Sequence, residues 1–176
     1  MKKKLTTVLA IVLVVALSVA GTYAWLTDKT GPVVNTFTVG NVNIGLTEDT
    51  GEFYKMVPGT TINKDPKVTV EANSEDCWLF VKVVKSDNLD KFISYAIDNG
   101  WTELESGVFY RQVEENTADQ TFNVLQNNTV AVKGNVTKTD MDNLTDATRP
   151  ALTFTAYAIQ AAGFTSASAA WAEVSK

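Results

Sequence analysis

The strongest strand signal in the chain is a nearly continuous apolar run, Trp78-Leu79-Phe80-Val81-Lys82-Val83-Val84. Its β-branched and aromatic residues are typical of a strand that is covered on both faces. A second run, Leu152-Thr153-Phe154-Thr155-Ala156-Tyr157-Ala158-Ile159, predicts another strand late in the chain. We therefore expect strands to form the core of the protein.

The segments around these runs have the pattern of short strands separated by turn residues. Further strands are predicted at 35–39, 42–46, 67–72, 101–104, 108–113, 121–125 and 129–132, and short helices at 89–97, 139–144 and 167–174. Because turns rather than regular crossover helices separate the strands, the pattern favours an all-β, antiparallel sandwich or jelly roll. The predicted fold has about eight strands and two or three short helices.

Composition excludes several kinds of chemistry. The chain has 176 residues, of which 45% are hydrophobic, with one cysteine and no histidine. This length suits one domain with a substantial core. The missing histidine excludes Ser-His-Asp and Cys-His catalysis, HExxH zinc proteases and histidine-ligated metals. A lone cysteine cannot form an intrachain disulfide or a multi-cysteine zinc site. We predict no catalytic residue, no metal and no cofactor.

The N-terminus has the organisation of a cleaved signal peptide. The basic start Met1-Lys2-Lys3-Lys4 precedes an apolar region without a polar side chain, residues 8–17. The 16 residues from Leu5 to Ala20 would reach about 24 Å as a helix at ~1.5 Å per residue. A spanning helix needs roughly 20 residues, so cleavage is favoured over a retained anchor.

Two cleavage positions fit the rule of small residues at alternate positions. One follows Ala20 and the other lies between Ala24 and Trp25, and the pattern does not choose between them. Cleavage between Ala24 and Trp25 would divide the chain into a signal peptide, residues 1–24, and a mature domain, residues 25–176.

The mature chain is acidic. Residues 1–24 contain three lysines and no acidic residue, so their removal leaves 12 basic and 20 acidic groups and a net charge of −8. Such a domain repels nucleic acid phosphates and anionic membrane surfaces. We expect no nucleic acid partner, and membrane contact only during export.

The remaining reactive residue types have simple structural interpretations. Asp140, Asp142 and Asp146 lack the spacing and glycine of a calcium loop, and helix capping explains them better. Cys77 follows two acidic residues and has no histidine to activate it, so a small packed thiol is expected. Composition alone leaves a paired-carboxylate glycosidase open.

Trp25 differs from Trp78, Trp101 and Trp171, which lie in predicted elements and are expected in the core. It begins a hydrophobic, β-prone segment beside the cleavage position. This segment could pack on its own domain, or it could add to the sheet of another subunit.

Several strings together resemble the TasA/camelysin family of secreted proteins. They are Gly21-Thr22-Tyr23-Ala24-Trp25-Leu26-Thr27-Asp28, which resembles a boundary cut by SipW-type signal peptidase, Asn35-Thr36-Phe37-Thr38-Val39-Gly40-Asn41-Val42-Asn43-Ile44, Val57-Pro58-Gly59 with Lys64-Asp65-Pro66-Lys67-Val68-Thr69-Val70, and Thr155-Ala156-Tyr157-Ala158-Ile159-Gln160-Ala161 with Gly163-Phe164. The resemblance extends from the signal peptide to the C-terminus.

This resemblance implies a secreted jelly-roll subunit of Gram-positive biofilm matrix, located outside the cell or at its surface. Family members assemble head to tail, and each donates a freed N-terminal strand to the next subunit. The implied partners are other copies, a SipW-type signal peptidase and a homologous matrix protein. The candidate donor strand is residues 25–39, with six apolar anchors: Trp25, Leu26, Val33, Val34, Phe37 and Val39.

Two alternatives to a non-enzymatic fibre subunit stay open at this point. One is a monomeric secreted surface-binding module or adhesin, which would present a patch of exposed aromatic residues. The other is a camelysin-like surface peptidase, which the missing histidine disfavours because no ligand set for zinc is left.

Overall fold

The computed structural model describes residues 41–51 and 54–176. The predicted signal peptide (1–24), both cleavage positions and the predicted strand at 35–39 lie outside the described residues.

The described residues form ten strands, three short α-helices and two 3₁₀ turns. The strands are β1 (Ile44–Thr47), β2 (Thr61–Asn63), β3 (Lys67–Val70), β4 (Cys77–Lys85), β5 (Ile93–Ser94), β6 (Thr102–Glu105), β7 (Val108–Val113), β8 (Gln120–Asn123), β9 (Thr129–Val132) and β10 (Leu152–Gln160). The helices are α1 (Leu89–Phe92), α2 (Lys138–Asp142) and α3 (Ala167–Val174), and the 3₁₀ turns are Gln126–Asn128 and Asp146–Thr148.

The strands pair only with antiparallel neighbours and form three sheets. A four-stranded sheet has the order β10-β4-β7-β6, and two three-stranded sheets have the orders β1-β3-β8 and β2-β9-β5. The β2–β9 pair continues the β3–β8 pair beyond Asn127 and Asn128, whose φ angles are 55° and 54°. The predicted all-β antiparallel sandwich is confirmed, and the jelly-roll connectivity stays a prediction.

The apolar run at residues 78–84 lies in β4, a central strand of the four-stranded sheet. Leu79 and Val81 are fully buried against Val68 and Val70 of the facing sheet. Phe80 points to the other side, where helix α3 covers it. Cover on both faces is therefore confirmed for this half of the strand. Beyond it, Lys82 and Val84 are exposed, because an eight-residue helix of roughly 12 Å is too short to cover the whole strand.

Three apolar clusters stabilise the domain. One lies between the four-stranded sheet and the β1-β3-β8 sheet, the second surrounds α1 and β9, and the third lies beneath α3. Each fully buried valine, leucine or phenylalanine contributes roughly 1.5–3 kcal/mol relative to exposure.

The predicted helix at 89–97 is much shorter than its apolar spacing suggested. Only Leu89–Phe92 is helical, and Ile93–Ser94 pairs with β9. The Gln126 N–H donates to the carbonyl of Ala96, which continues the sheet-like pairing. Because Leu89, Phe92 and Ile93 reach the same cluster from a turn followed by a strand, the apolar spacing did not require a helix.

Candidate functional site

The free edges of the sheets are the candidate sites for assembly. A strand at an edge presents unpaired N–H and C=O groups that another strand can bond. Among the described residues, the four-stranded sheet ends in β10 and β6, and the facing sheet ends in β1 and β8. β1 lies beside β10.

The hydrogen-bond ladder defines which backbone groups of β10 point away from β4. Ser86 N–H donates to Ala151 O at 2.9 Å, and Ala161 N–H donates to Asp76 O at 2.7 Å. Bonded positions alternate along an antiparallel pair, so the odd-numbered residues of β10 bond β4. The even-numbered residues point their backbone N–H and C=O groups away from β4; they are Leu152, Phe154, Ala156, Ala158 and Gln160.

The side chains at the free edge of β10 are uncharged and partly uncovered. The strand has nine residues, Leu152–Gln160, and contains no charged residue and no proline. It is about 30 Å long at ~3.3 Å per residue. Phe154, Ala156 and Ala158 face the space between the sheets, and all three are half-buried. The two alanines are small side chains at this edge.

The neighbouring edge strand β1 shows that this side of the sandwich is open. Leu46 pairs with Val68, which is fully buried between the sheets. Residues paired in register point to the same face, so Leu46 also faces the inter-sheet space. Its side chain is nevertheless 38% exposed. We call the side bordered by β1 and β10 the open side.

The opposite side, bordered by β6 and β8, is closed by aromatic and cationic side chains. Trp101 is 7% exposed, and its Nε1–H donates to Asn123 O at 2.7 Å. The Arg111 guanidinium lies 3.7 Å from the centroid of the Phe122 ring and 5.6 Å from that of Trp101. Burial lowers the pKa of Arg111. We call this side the closed side.

The edge strand β6 also carries features that discourage strand addition. It contains Glu103 and Glu105 and has a register shift between them, which is a bulge against β7. Charges and bulges on edge strands obstruct pairing with another chain. The β10 edge has neither.

A charged network lies near the Phe154 end of the open side. Lys64 Nζ is 2.8 Å from Glu48 Oε1 and 5.5 Å from the centroid of the Phe154 ring. The Tyr54 hydroxyl also donates to Glu48, and burial followed by this hydrogen bond raises the pKa of Tyr54 to about 12. Beside the network, Lys67 and Thr50 bond Asp65 and lower the pKa of its carboxyl to about 2. This network holds the loop after β1.

The described chain begins at the other end of the open side. The carbonyl of Asn41 accepts from Glu75 N–H at 3.0 Å, and the next residue, Asp76, bonds Ala161 just beyond β10. A shallow pocket of about 390 Å³ lies at this end of the sheet, lined by Asp76, Gln112, Glu114 and Glu115. Asp76 already accepts from Glu115 N–H at 2.6 Å.

The predicted donor and cleavage residues lie outside the described residues. They are Ala24, Trp25, Leu26, Val33, Val34, Phe37 and Val39. The structure therefore does not test their roles. The β10 edge was missed as a site from the sequence, although its uncharged alternating run of nine residues was visible there.

Cys77 is a packed thiol, as expected. It is fully buried in the inter-sheet cluster and forms no disulfide. Burial, followed by the negative charge of Asp76, raises the pKa of the Cys77 thiol to about 11. A thiol held in its protonated form is a poor nucleophile.

The carboxylates of the 140–146 region act structurally, as expected. Asp140 forms a capping box with Thr137 at the start of α2 and an ion pair with Lys91 at 2.6 Å. These contacts hold the pKa of Asp140 well below its usual range. Asp142 pairs with Lys138 and Asp146 with Arg149. Within residues 41–51 and 54–176, no cluster of three or more acidic or cysteine side chains could hold a metal ion.

Comparisons with models of protein families, with curated proteins and with solved structures find no match to this chain. Over the part of the chain that the structure describes, no helix is long and apolar enough to cross a membrane.

Proposed function

We propose that the protein is a secreted, non-enzymatic subunit of an extracellular fibre. After cleavage by a signal peptidase of the SipW type, the freed N-terminal segment of one subunit adds as a strand to the sheet of the next. The resemblance to the TasA/camelysin family and its biofilm-matrix fibres belongs to this proposal. The polymer contains copies of this chain, and a homologous matrix protein is a further candidate partner.

The observation that carries the proposal is the open side. A long, uncharged edge strand is a hazard that proteins normally block or pair. Here β10 presents nine residues without a blocking charge, whereas β6 in the same sheet carries Glu103 and Glu105. An exposed edge of this kind is consistent with an incoming strand in the assembled form.

Each subunit carries one donor segment and one acceptor edge, and this arrangement determines how the subunits assemble. Head-to-tail contacts between unlike surfaces do not close unless a rotation brings the ends together, so they produce filaments. Each added strand bonds the backbone of its neighbour and buries apolar side chains. Before cleavage the donor segment is joined to the signal peptide, so processing also controls the start of assembly.

Deletion of residues 25–34 from the mature protein tests the proposal. Because residues 25–34 precede every described residue of the three clusters, we expect the shortened protein to keep its circular dichroism spectrum and its cooperative melt. We also expect filaments to disappear in electron microscopy and the protein to elute as a monomer over a concentration series. Filaments of normal length from the deletion variant would disprove donor-strand assembly.

A matched pair of charge substitutions refines the test. Phe37 and Val39 lie on one face of the predicted strand, and Thr36 and Thr38 lie on the other. The double variant Phe37→Asp/Val39→Asp should prevent assembly, because two charges would be buried in the acceptor. Thr36→Asp/Thr38→Asp adds the same charge on the outer face and should assemble. Equal effects of the two pairs would indicate simple charge repulsion instead.

A further inference from the structure

We propose that the acceptor is the free edge of β10, where residues 25–39 of a second copy extend the four-stranded sheet to five strands. This inference rests on the proposed function and names its partner surface. The incoming strand would bond the outward N–H and C=O groups of the even-numbered residues from Leu152 to Gln160.

The β10 edge is the longest and least protected of the available edges. β1 and β8 have four residues each, and β10 has nine. On β8, the odd-numbered positions point away from β3, since Val124 N–H donates to Pro66 O. The carbonyl of one of them, Asn123, already accepts from Trp101. β6 is charged and bulged. A strand therefore gains the most backbone bonds along β10.

The chemistry of the donor matches the opening that it would cover. Val33, Phe37 and Val39 share the parity of one strand face, and the segment 25–39 has 15 residues, more than the nine of β10. On β10, Ala156 and Ala158 are small and half-buried. Large apolar side chains placed beside them would cover neighbouring apolar surface, including Leu46, which is 38% exposed.

Asn41 lies at the Gln160 end of β10, and Glu48, just after β1, lies near Phe154 toward the other end. β1 therefore runs away from the Gln160 end. We take a second copy as the source of the strand, because addition of one subunit to the next, head to tail, produces a filament.

A proline scan of two edges of one sheet tests the acceptor. The N–H of Ala158 points away from β4, so Ala158→Pro removes a bond to the incoming strand and none within the sheet. Glu103→Pro is the matched control. Even-numbered residues of β7 bond β6, because Val83 N–H donates to Gly107 O, so the N–H of Glu103 also points outward. We expect Ala158→Pro to reduce filament mass at least tenfold and Glu103→Pro to leave it unchanged.

A second pair of substitutions tests the acceptor if the proline variants do not fold. Ala156→Glu places a charge at the opening, where an apolar donor would bury it, and Thr155→Glu places the same charge on the exposed outer face. Thermal melts by circular dichroism select the variants that keep the fold. Among those, loss of filaments with Ala156→Glu and retention with Thr155→Glu is the expected result.

A mixing experiment separates the failure of this inference from the failure of the proposed function. A variant that lacks residues 25–39 has only an acceptor, and Ala158→Pro has only a donor, so their mixture should form 1:1 dimers by light scattering and no filaments. If Ala158→Pro and Ala156→Glu polymerise like the unmodified protein, the acceptor lies elsewhere and the proposed function stands. If the unmodified mature protein never polymerises, both are overturned.

Discussion

The two sides of the sandwich differ in how side chains cover the space between the sheets and the edge strands that border it. On the closed side, Trp101 and Arg111 pack over Phe122, and Trp101 bonds the edge strand β8. On the open side, Leu46 faces the inter-sheet space yet stays 38% exposed, and β10 offers an uncharged edge. Both sides belong to one core, so the difference is local, in a few side chains at each edge.

This contrast shows at which edges a β-sandwich can remain stable with incomplete cover. An edge can be protected by charge, by a bulge or by covering side chains, and the closed side uses all three. Within residues 41–51 and 54–176, the open side is protected at one end, where Glu48, Tyr54 and Lys64 hold the loop after β1. A side with so little cover is consistent with the arrival of another strand.

The largest expected effect comes from removing the cover of the closed side. Trp101→Ala should lower the free energy of unfolding by about 3–5 kcal/mol, because it creates a cavity and leaves Asn123 O without its donor. Urea denaturation of the dilute protein measures the loss. Trp101→Phe is the matched control, and it should lose less because it keeps the aromatic packing. A loss below about 1 kcal/mol for Trp101→Ala would mean that the closed side contributes little.

An intermediate effect on folding stability is expected from the charged residues near the open side, and it should depend on pH. The lowered pKa of Asp65, about 2, means that its carboxylate stabilises the folded state above the unfolded pKa near 4. This contribution is lost as the pH falls from about 4 to about 2. Asp65→Asn should therefore be less stable than the unmodified protein at pH 7, with a difference that shrinks across this window.

Melting temperatures between pH 7 and pH 2 measure this difference. Asp146→Asn is a suitable control, because Asp146 is 90% exposed in its pair with Arg149 and such a surface ion pair should contribute little to stability. A constant difference between Asp65→Asn and the unmodified protein at all pH values would contradict the assigned role of the carboxylate.

The smallest effect is expected for Leu46→Thr on the open side. Since Leu46 is already 38% exposed, its loss should cost the free subunit less than about 1 kcal/mol. Urea midpoints of the non-assembling 25–34 deletion variant, with and without the substitution, measure this cost. A loss as large as that of Trp101→Ala would show that the open side is packed as tightly as the closed side.

Much of the fold could be predicted from residue patterns because those patterns report local burial. The runs at 78–84 and 152–159 correctly predicted β4 and β10, and the helix predicted at 167–174 is α3. The helix predicted at 89–97 was too long, because helical apolar spacing also fits one helical turn followed by a strand. The helix predicted at 139–144 begins one residue earlier, at Lys138, because Thr137 caps it.

The pairing of the strands could not be predicted from local residue patterns. Residues 121–125 and 129–132 resemble two arms of a hairpin around Asn127 and Asn128, but β8 pairs with β3, and β9 pairs with β2 and β5. Which strands meet depends on contacts between residues far apart in the chain. The candidate site could not be located for the same reason, since an edge is defined by the absence of a neighbour.

The sequence by itself determined the all-β class, the absence of histidine chemistry and the two long strands, because composition and alternation are properties of the chain. It also supplied the hypothesis of a cleaved N-terminal donor. Only the tertiary structure decided that β10 lies at an edge among the described strands, that its even-numbered backbone groups point away from β4, and that Trp101 and Arg111 close the opposite side. These features depend on which strand ends up beside which, and long-range packing selects that arrangement.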